Sequence, residues 1–227
     1  MLTDLVGFED QKEALLHNTG RFVQGLPANN VLLWGARGTG KSSMIKGVFN
    51  HFREQGLRLI EVDRDDLEDL PEIADRIDTL SYRFILFCDD LSFDIAERGY
   101  RGLKRILEGS IELPPENLLV YATSNRRHLL PEYQSDNQGA VVKETELHYG
   151  DTVEEKLSLS DRFGLWLSFY QGEWEHYLRI IDRLFPDHPD KEGLYREAKA
   201  FAMGRASRSG RTARQFFRHT VSGPETP

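Results

Sequence analysis

The sequence predicts an α/β fold in which helices cover both faces of a parallel sheet. Short apolar runs of strand length alternate with segments of helical character, which is the pattern of strands joined by helical crossovers. The chain has 227 residues, enough to bury a core as one domain or as one domain with a small appendage. We therefore expect a three-layer α/β/α arrangement around a five-stranded parallel sheet.

Five apolar runs are the predicted strands, and each is about as long as a buried strand. They cover residues 31–34, 57–62, 83–88, 118–123 and 164–170. A helix is expected directly after the first run, over 43–52. The only cysteine, Cys88, lies inside the third run. An intrachain disulfide is therefore excluded, and Cys88 is expected to be a small core residue.

After the fifth run the apolar residues change to helical spacing. They recur from Trp174 to Phe185, and Pro186 ends that helix. Two more helices are expected over 190–206 and 211–219. We divide the chain into an α/β core over 1–171, a C-terminal helical lid over 172–220 and a frayed tail over 221–227.

A long polar segment lies within the core over residues 133–158 and has no strong period. Loops of this length in compact domains are usually either functional or disordered. The segment is rich in Gln, Asp, Glu and Asn, and of the two we favour a mobile, disordered loop.

The composition is that of an ordinary globular protein, and its charge limits the partners. Hydrophobic residues make up 39% and charged residues 29% of the chain, and the net charge is −8. This balance argues against non-specific binding to nucleic acid or to anionic membranes. No apolar run approaches the roughly 20 residues of a membrane span, and the first residues lack a basic-then-apolar signal. We expect a cytoplasmic protein that does not bind membranes.

The stretch from Gly35 to Ser42 fits the Walker A pattern G-x-x-x-x-G-K-[ST] and lies between a predicted strand and a predicted helix. That context aims backbone N–H groups and the positive end of a helix dipole at phosphate. The Lys41 ammonium would reach the β- and γ-phosphates, and the Ser42 hydroxyl would bind Mg²⁺. We therefore predict a nucleoside triphosphate site formed by Gly35, Ala36, Arg37, Gly38, Thr39, Gly40, Lys41, Ser42 and Ser43.

The third predicted strand ends in two carboxylates, Asp89 and Asp90, which is the form of a Walker B element. Open α/β sheets bind ligands at the carboxyl ends of their strands, so we expect Asp89 to hold Mg²⁺ through water. Asp90 would orient or deprotonate an attacking water. The seven histidines show no convincing metal-ligand spacing, and no metal other than Mg²⁺ is expected.

Five motifs, taken in order, resemble those of an AAA+ ATPase over nearly the whole chain. They are the Walker A stretch, the Asp89–Asp90 pair, and the runs YATSN (121–125), DRFG (161–164) and SGRTAR (209–214). More narrowly, FCDDLSF (87–93) and ATSNRRHL (122–129) resemble a bacterial family of stand-alone AAA+ proteins that is classed as a domain of unknown function. The resemblance implies ATP and Mg²⁺ as cofactors and an ATP-dependent ring or arc of like subunits.

The resemblance also implies roles for single residues in catalysis. Asn125 matches sensor 1, whose amide helps to place the attacking water near the γ-phosphate. Arg162 matches the arginine finger, which reaches the γ-phosphate of a neighbouring subunit and neutralises charge in the transition state. The implied catalytic set is Lys41, Asp90, Asn125 and Arg162.

Two further parts of the nucleotide site are implied in the same way. Arg211 matches sensor 2, the lid arginine that contacts phosphate within the same chain, and Arg214, one turn later, is the alternative. Leu5 and Val6 lie in the opening segment that resembles the part of the family packing around adenine.

Two departures from the AAA+ pattern bear on function. Most AAA+ enzymes carry Glu after the metal-binding Asp, whereas Asp90 is one methylene shorter, which predicts slow turnover. Asp94 can assist if a helix begins at Leu91. Residues 63–70 (DRDDLEDL) contain no aromatic-apolar-Gly pore loop, which argues against threading of polypeptide and against gripping DNA at that point.

The leading hypothesis is an ATPase that hydrolyses Mg-ATP at a site shared between subunits and remodels an unknown protein partner. The alternative is a slow, ATP-gated adaptor or loader that changes its affinity for a partner. A helicase-loader-like role on DNA is suggested by the basic C-terminal run but is not favoured, because ATP contact or a solvated helix face also explains those arginines. A nucleotide kinase is disfavoured by Asn125, Arg162 and the order of the lid motifs.

Overall fold

A five-stranded, wholly parallel sheet forms the centre of the computed structural model, which describes residues 2–91, 98–108, 115–125 and 161–221. The strands are β1 (Val31–Gly35), β2 (Leu57–Val62), β3 (Arg83–Cys88), β4 (Leu118–Ser124) and β5 (Leu165–Phe169). Their order across the sheet is β2-β3-β4-β1-β5, with every neighbouring pair parallel. Each strand begins and ends within one residue of its predicted bounds, and the predicted fold class is confirmed.

Some predictions concern residues that lie outside the described ranges. These are the loop over 133–158, the contribution of Asp94 and the tail after Val221.

The α-helices within the described ranges are α1 (Glu9–Val23), α2 (Lys41–Phe52), α3 (Leu70–Ile77), α4 (Arg98–Glu108), α5 (Trp174–Leu184), α6 (Lys191–Gly204) and α7 (Gly210–Val221). One face of the sheet buries apolar residues of α1 and α2. The other face buries those of α3 and α4, together with Cys88. The strands therefore carry apolar side chains on both faces, which explains why they read as continuous apolar runs. None of these helices combines the length and the apolar character needed to cross a membrane.

Helices α5, α6 and α7 pack around an apolar cluster of their own. Tyr177 and Ile181 of α5 are fully buried there against Ala198 of α6 and Phe216 of α7. A separate core is what a structural unit needs to hold itself together, and it supports the proposed division between an α/β core and a helical lid. The exact boundary at residue 171 stays a prediction.

The acidic segment after β2 is a short 3₁₀ helix, Arg64–Asp69, that lies on α4. Leu67 is its buried residue, and a Cβ at Gly99 would lie only 3.1 Å from the Leu67 Cβ. A Cβ at Gly102 would meet the Leu67 backbone oxygen. The segment therefore packs closely on the helix, while the acidic side chains around Leu67 are exposed.

Candidate nucleotide-binding site

The carboxyl ends of β1, β3 and β4 are neighbours in the sheet, so the residues that follow them meet at one place. A cleft with a volume of about 1100 Å³ opens there, facing α5 and α7. The predicted site residues that line it are Leu5, Val6, Arg37, Gly38, Thr39, Gly40, Lys41, Ser42, Ser43, Asp89, Asp90, Asn125 and Arg211. The predicted site residues outside its lining are Gly35, Ala36 and Arg162.

The phosphate-binding loop, residues 35–42, connects β1 to α2 through left-handed glycines. Gly38 has φ 78° and Gly40 has φ 105°, values that L side chains adopt at a cost and glycine adopts freely. A Cβ on Gly38 would also lie only 2.8 Å from the Ser209 hydroxyl oxygen. The loop thus turns directly into the N-terminus of α2, where free N–H groups and the helix dipole favour an anion.

Lys41 is the first residue of α2, and its side chain is folded back over the loop. Its Nζ donates hydrogen bonds to the carbonyl oxygens of Gly35 at 2.8 Å and Ala36 at 2.9 Å, and to Asn125 Oδ1 at 3.2 Å. Burial lowers the pKa of Lys41, although the nearby carboxylates of Asp90 and Asp89 act in the opposite direction. A phosphate group beside this ammonium would offset the cost of burying its charge.

Asp89 is held from both sides by hydroxyl groups. Its Oδ1 accepts hydrogen bonds from the Ser42 hydroxyl at 2.7 Å and from the Thr123 hydroxyl at 2.5 Å. Hydroxyl and carboxylate oxygens are the hard donors that Mg²⁺ takes from proteins, usually few at a time with water completing the shell. The donor set formed by Ser42 and Asp89 therefore fits Mg²⁺.

Asp90 occupies a left-handed turn directly after β3, with φ 52°. Asp is one of the few non-glycine residues that adopt this region readily, which gives a local reason for Asp at a position where Glu is usual. The Asp90 Oδ1 accepts a hydrogen bond from Asn125 Nδ2, and its Oδ2 lies 3.7 Å from the exposed Arg37 guanidinium. Lys41, Asn125 and Asp90 are thus joined in one chain of hydrogen bonds.

The first turn of α7 contacts the phosphate-binding loop. The backbone N–H of Arg211 donates to the Gly38 oxygen at 3.4 Å. The side chains of Arg211 and Arg214 both line the cleft. Both sensor 2 candidates are therefore near the proposed phosphates, and the choice between them stays open.

Arg162 lies away from the cleft, on the surface of its own subunit. Its guanidinium is half exposed and forms an ion pair of 3.4 Å with Glu108 at the end of α4. An arginine in this position has no contact with the nucleotide cleft of its own chain among the described residues. This placement is compatible with action on a neighbouring subunit, which stays a prediction.

Thr123 is a site residue that the sequence reasoning missed. Its hydroxyl donates to Asp89 and accepts the Asp90 N–H at 2.9 Å, and the side chain is buried. It therefore fixes the turn that carries both carboxylates. Alternation along a strand places Thr123 on the same face as Asn125, and this spacing is the signal that could have identified it.

The lid face of the cleft was also missed. His176, Ile180 and Arg183 of α5 line the cleft, at the spacing of one helical face. The same face continues to Leu184. Apolar spacing along α5 indicated the packed face, with Leu184 at its edge, but not the role of this face in the cleft, because the cleft-lining face mixes apolar, aromatic and charged residues.

His176 is wedged between the opening segment and the start of the lid. A Cβ on Gly7 or on Gly172 would each approach its ring to 2.5 Å, and Phe8 meets it edge-on with ring centres 5.4 Å apart. Desolvation, and then the Arg179 charge on α5, lower the pKa of His176 from its ordinary value of 6.5, while Glu9 of α1 opposes the shift. The neutral imidazole is the form that fits this position.

We expect stability to fall in acid because of His176. Folding lowers the pKa of His176, so the unfolded chain binds a proton more readily than the folded chain does. As the pH falls below 6.5, proton uptake therefore favours the unfolded state. The contribution is present above pH 6.5 and is lost as the pH falls below it. The melting temperature of the parent chain should therefore drop more than that of His176→Gln between pH 7.5 and 5.5. The control variant His51→Gln, which replaces an exposed histidine, should show the same drop as the parent chain. Parallel curves for all three proteins would contradict this role.

The strand order, the glycine loop leading into α2, the paired carboxylates after β3 and the helical lid together define an AAA+ P-loop fold. Within that class, the chain belongs to the family described as "Protein of unknown function (DUF815)", whose profile matches residues 1–223. The resemblance noted in the sequence is thereby confirmed.

Solved structures with the same fold share little sequence with this chain. It is similar to the Thermotoga maritima RuvB Holliday junction branch migration motor, with 14% identity and a TM-score of 0.53 over 94% of this chain and 69% of that one. The Aeropyrum pernix ORC1 protein in complex with DNA gives 14% identity and a TM-score of 0.56, over 93% and 65% of the two chains. The Aeropyrum pernix ORC2 protein gives 11% identity and a TM-score of 0.54, over 96% of this chain and 68% of that one. No curated protein matches the chain by sequence.

Proposed function

We propose that this protein binds Mg-ATP in the cleft and hydrolyses it at a site completed by a neighbouring subunit, in order to remodel a protein partner. The observation that carries the proposal is the hydrogen-bonded network linking Lys41, Asn125 and Asp90 beside the Ser42–Asp89 pair. It brings together, at three adjacent strand ends, the residues that we propose as the phosphate-binding cation, the water-positioning amide, the base and the metal-ligand pair.

In the proposed ATP complex, the loop N–H groups and the N-terminus of α2 bind the phosphates. Lys41 turns from the carbonyls of Gly35 and Ala36 towards the β- and γ-phosphates. Ser42 and Asp89 hold Mg²⁺, which when bound neutralises charge developing on the phosphate oxygens. Leu5 and Val6 pack against the base on one side of the cleft, with Arg211 or Arg214 reaching phosphate from the lid.

Asp90 and Asn125 act on the water that attacks the γ-phosphate. Asn125 holds Asp90 by its Nδ2 and offers its Oδ1 to Lys41, so it fixes the carboxylate relative to the phosphate site. Asp90 orients the water and accepts its proton. We expect this step to be slow, because the shorter side chain of Asp90 and its ion pair with Arg37 restrict its reach.

The proposal is tested by measuring phosphate release from Mg-ATP over a wide range of protein concentration. A rate per subunit that rises with concentration, and that disappears when Mg²⁺ is chelated, supports a self-assembling ATPase. A flat and very slow rate with tight ATP binding supports the adaptor or loader instead. Absence of ATP binding would contradict both proposals.

The ATP-gated switch is kept as a second candidate because of the segment after β2. In place of an aromatic-apolar-Gly loop, this chain has an acidic 3₁₀ helix packed on α4 through Leu67. Such a segment is poorly suited to gripping a threaded polypeptide. A nucleotide-dependent change in affinity for a partner needs no such grip.

An association with DNA is not favoured by the arrangement of the C-terminal cations. Arg205 lies over the Phe201 ring at 3.7 Å and Arg208 over the Trp174 ring at 5.4 Å. Arg211, Arg214 and Arg218 line the nucleotide cleft. The three arginines of α7 share one face of that helix, but this face lines the nucleotide cleft, while Arg205 and Arg208 cover aromatic rings. The basic run as a whole therefore does not form one continuous stripe, the footprint expected of a DNA-binding face.

A further inference from the structure

Four arginines of the lid line the nucleotide cleft. Arg211, Arg214 and Arg218 follow one another at intervals of three and four residues and so share one face of α7. Arg183 joins them from α5. A single lid arginine is enough to explain a sensor 2 contact, so this group contains more positive charge than the triphosphate site requires.

Helices α5 and α7 run side by side in the same direction away from the phosphate-binding loop. At the beginning of α7, a Cβ on Gly210 would lie 3.9 Å from the side chain of Ile180, just past the middle of α5. Further along both, Phe185 meets Phe217 with ring centres 5.0 Å apart. Arg183 therefore lies beyond the level of the loop, about as far along as Arg214. The helical rise places Arg218 roughly 10 Å beyond Arg211 along α7.

The acidic groups of the cleft are committed elsewhere. Asp89 is bound by Ser42 and Thr123, and Asp90 by Asn125. Among the residues that the structure describes, none of the four lid arginines makes an ion pair or a side-chain hydrogen bond. Asp4 is the remaining carboxylate of the cleft, and its charge acts on Arg183 and Arg214.

Asp89 and Asp90 keep their negative charge, but their charges act at the phosphate-binding loop, on Lys41 and Arg37. On the lid side, the four guanidinium groups face the carboxylate of Asp4; they repel one another, and an anion placed among them relieves that repulsion. Guanidinium groups bind phosphate oxygens in pairs of hydrogen bonds, which makes phosphate a well-matched anion. The neighbouring Arg205 and Arg208 differ in that each covers an aromatic ring. The cleft volume, about 1100 Å³, lies just above the usual range for small-molecule sites, so the cleft has room for more than a nucleotide with its 5′-phosphates alone.

We infer that Arg183 and Arg218, together with Arg214 where Arg211 makes the sensor 2 contact, form a second phosphate subsite on the lid side of the cleft, separate from the phosphate-binding loop. The subsite binds a phosphate group other than the 5′-phosphates of the nucleotide. This phosphate is either attached to the ribose of the same nucleotide or belongs to a separate inorganic phosphate compound. The ribose form rests on the proposed function of the cleft, whereas the inorganic form does not.

Two calorimetric titrations distinguish the two sources. The first compares ADP with the same nucleotide carrying a phosphate on its ribose 3′-oxygen. The second titrates inorganic pyrophosphate into the Lys41→Ala variant, in which the phosphate-binding loop is disabled. Each is repeated with Arg183→Gln and Arg218→Gln combined, and with Arg196→Gln as the matched control, since Arg196 is an exposed arginine of α6 outside the cleft.

In the first titration, we expect the ribose phosphate to tighten nucleotide binding roughly tenfold; in the second, we expect pyrophosphate to bind the Lys41→Ala variant. Whichever effect is seen should vanish when Arg183→Gln and Arg218→Gln are combined and should persist in the Arg196→Gln control. Tighter nucleotide binding in the first titration alone identifies a ribose phosphate as the ligand. Pyrophosphate binding in the second titration alone identifies a separate anion. No gain in either, or a gain that survives in the double variant, overturns the subsite. Failure of ADP itself to bind contradicts the proposed function instead, and the pyrophosphate titration then still decides the subsite.

Discussion

Lys41→Ala is expected to abolish nucleotide binding at physiological concentrations. Lys41 is buried, with 6% of the residue exposed, and its ammonium lies against the loop that is proposed to hold the phosphates. Two charge-assisted hydrogen bonds to the β- and γ-phosphates contribute about 3 kcal/mol together, which corresponds to a loss of at least about a hundredfold in affinity. Calorimetry with Mg-ATP and Mg-ADP measures the loss directly.

Lys46→Ala is the matched control for this prediction. Lys46 lies on the same helix, but its side chain is 48% exposed and its Nζ pairs with Glu61 at 3.1 Å. Its removal should leave nucleotide affinity unchanged. The melting temperature of both variants reports whether they fold. Unchanged affinity in a folded Lys41→Ala variant would remove the phosphate-binding loop from the proposed site.

The strands were accessible from the sequence because of how a parallel sheet is buried. Both faces of β1, β3 and β4 pack against apolar residues, so each strand reads as an unbroken apolar run with sharp ends. The order of the strands was not accessible in the same way. The strand order depends on long-range pairing, such as the position of β1 between β4 and β5. The length and spacing of the apolar runs do not indicate which strands pair.

Residues of a contiguous motif were predicted from the sequence pattern itself, whereas residues brought in by packing were predicted only where the family resemblance named them, as for Asn125 and Arg211. The phosphate-binding loop and the Asp89–Asp90 pair follow a strand directly, so their position at the cleft was foreseeable. Thr123 acts on those carboxylates across the boundary between β4 and β3, and His176 reaches the opening segment from the lid. Both contacts join distant parts of the chain. The alternation that places Thr123 beside Asn125 indicates a shared face but not the contact with the carboxylates, and no local pattern indicates the contact of His176.

The positive backbone angle at Asp90 also modifies an interpretation made from the sequence. From the sequence alone, Asp in place of Glu predicts a loss of reach at the base. The turn requires φ 52°, and the carboxylate is held by Asn125 in that conformation. Asp is therefore also the residue that suits the backbone here. Slow turnover remains the expectation, since suitability for the turn does not lengthen the side chain.

Arg162→Ala is expected to lower ATP turnover per subunit roughly a thousandfold while leaving ATP affinity unchanged. Arginine fingers contribute on this scale to phosphoryl transfer, and Arg162 lies outside the cleft of its own chain. The control is Arg105→Ala, which removes an exposed arginine of α4 near Glu108, the ion-pair partner of Arg162. Turnover that survives in Arg162→Ala, or that falls equally in Arg105→Ala, would argue against a shared site.

Mixing two inactive variants decides whether Arg162 acts between subunits. Lys41→Ala loses its own nucleotide but keeps Arg162, whereas Arg162→Ala keeps its nucleotide and lacks the arginine. If Arg162 reaches a neighbouring cleft, a mixed assembly contains interfaces at which an intact arginine faces a bound ATP, and phosphate release should reappear on mixing. If Arg162 acts within its own chain, no subunit in the mixture is complete and the rate stays at the level of the separate variants. Because the half-exposed Arg162 pairs with Glu108 in the single chain, recovery also requires that ion pair to open when subunits meet.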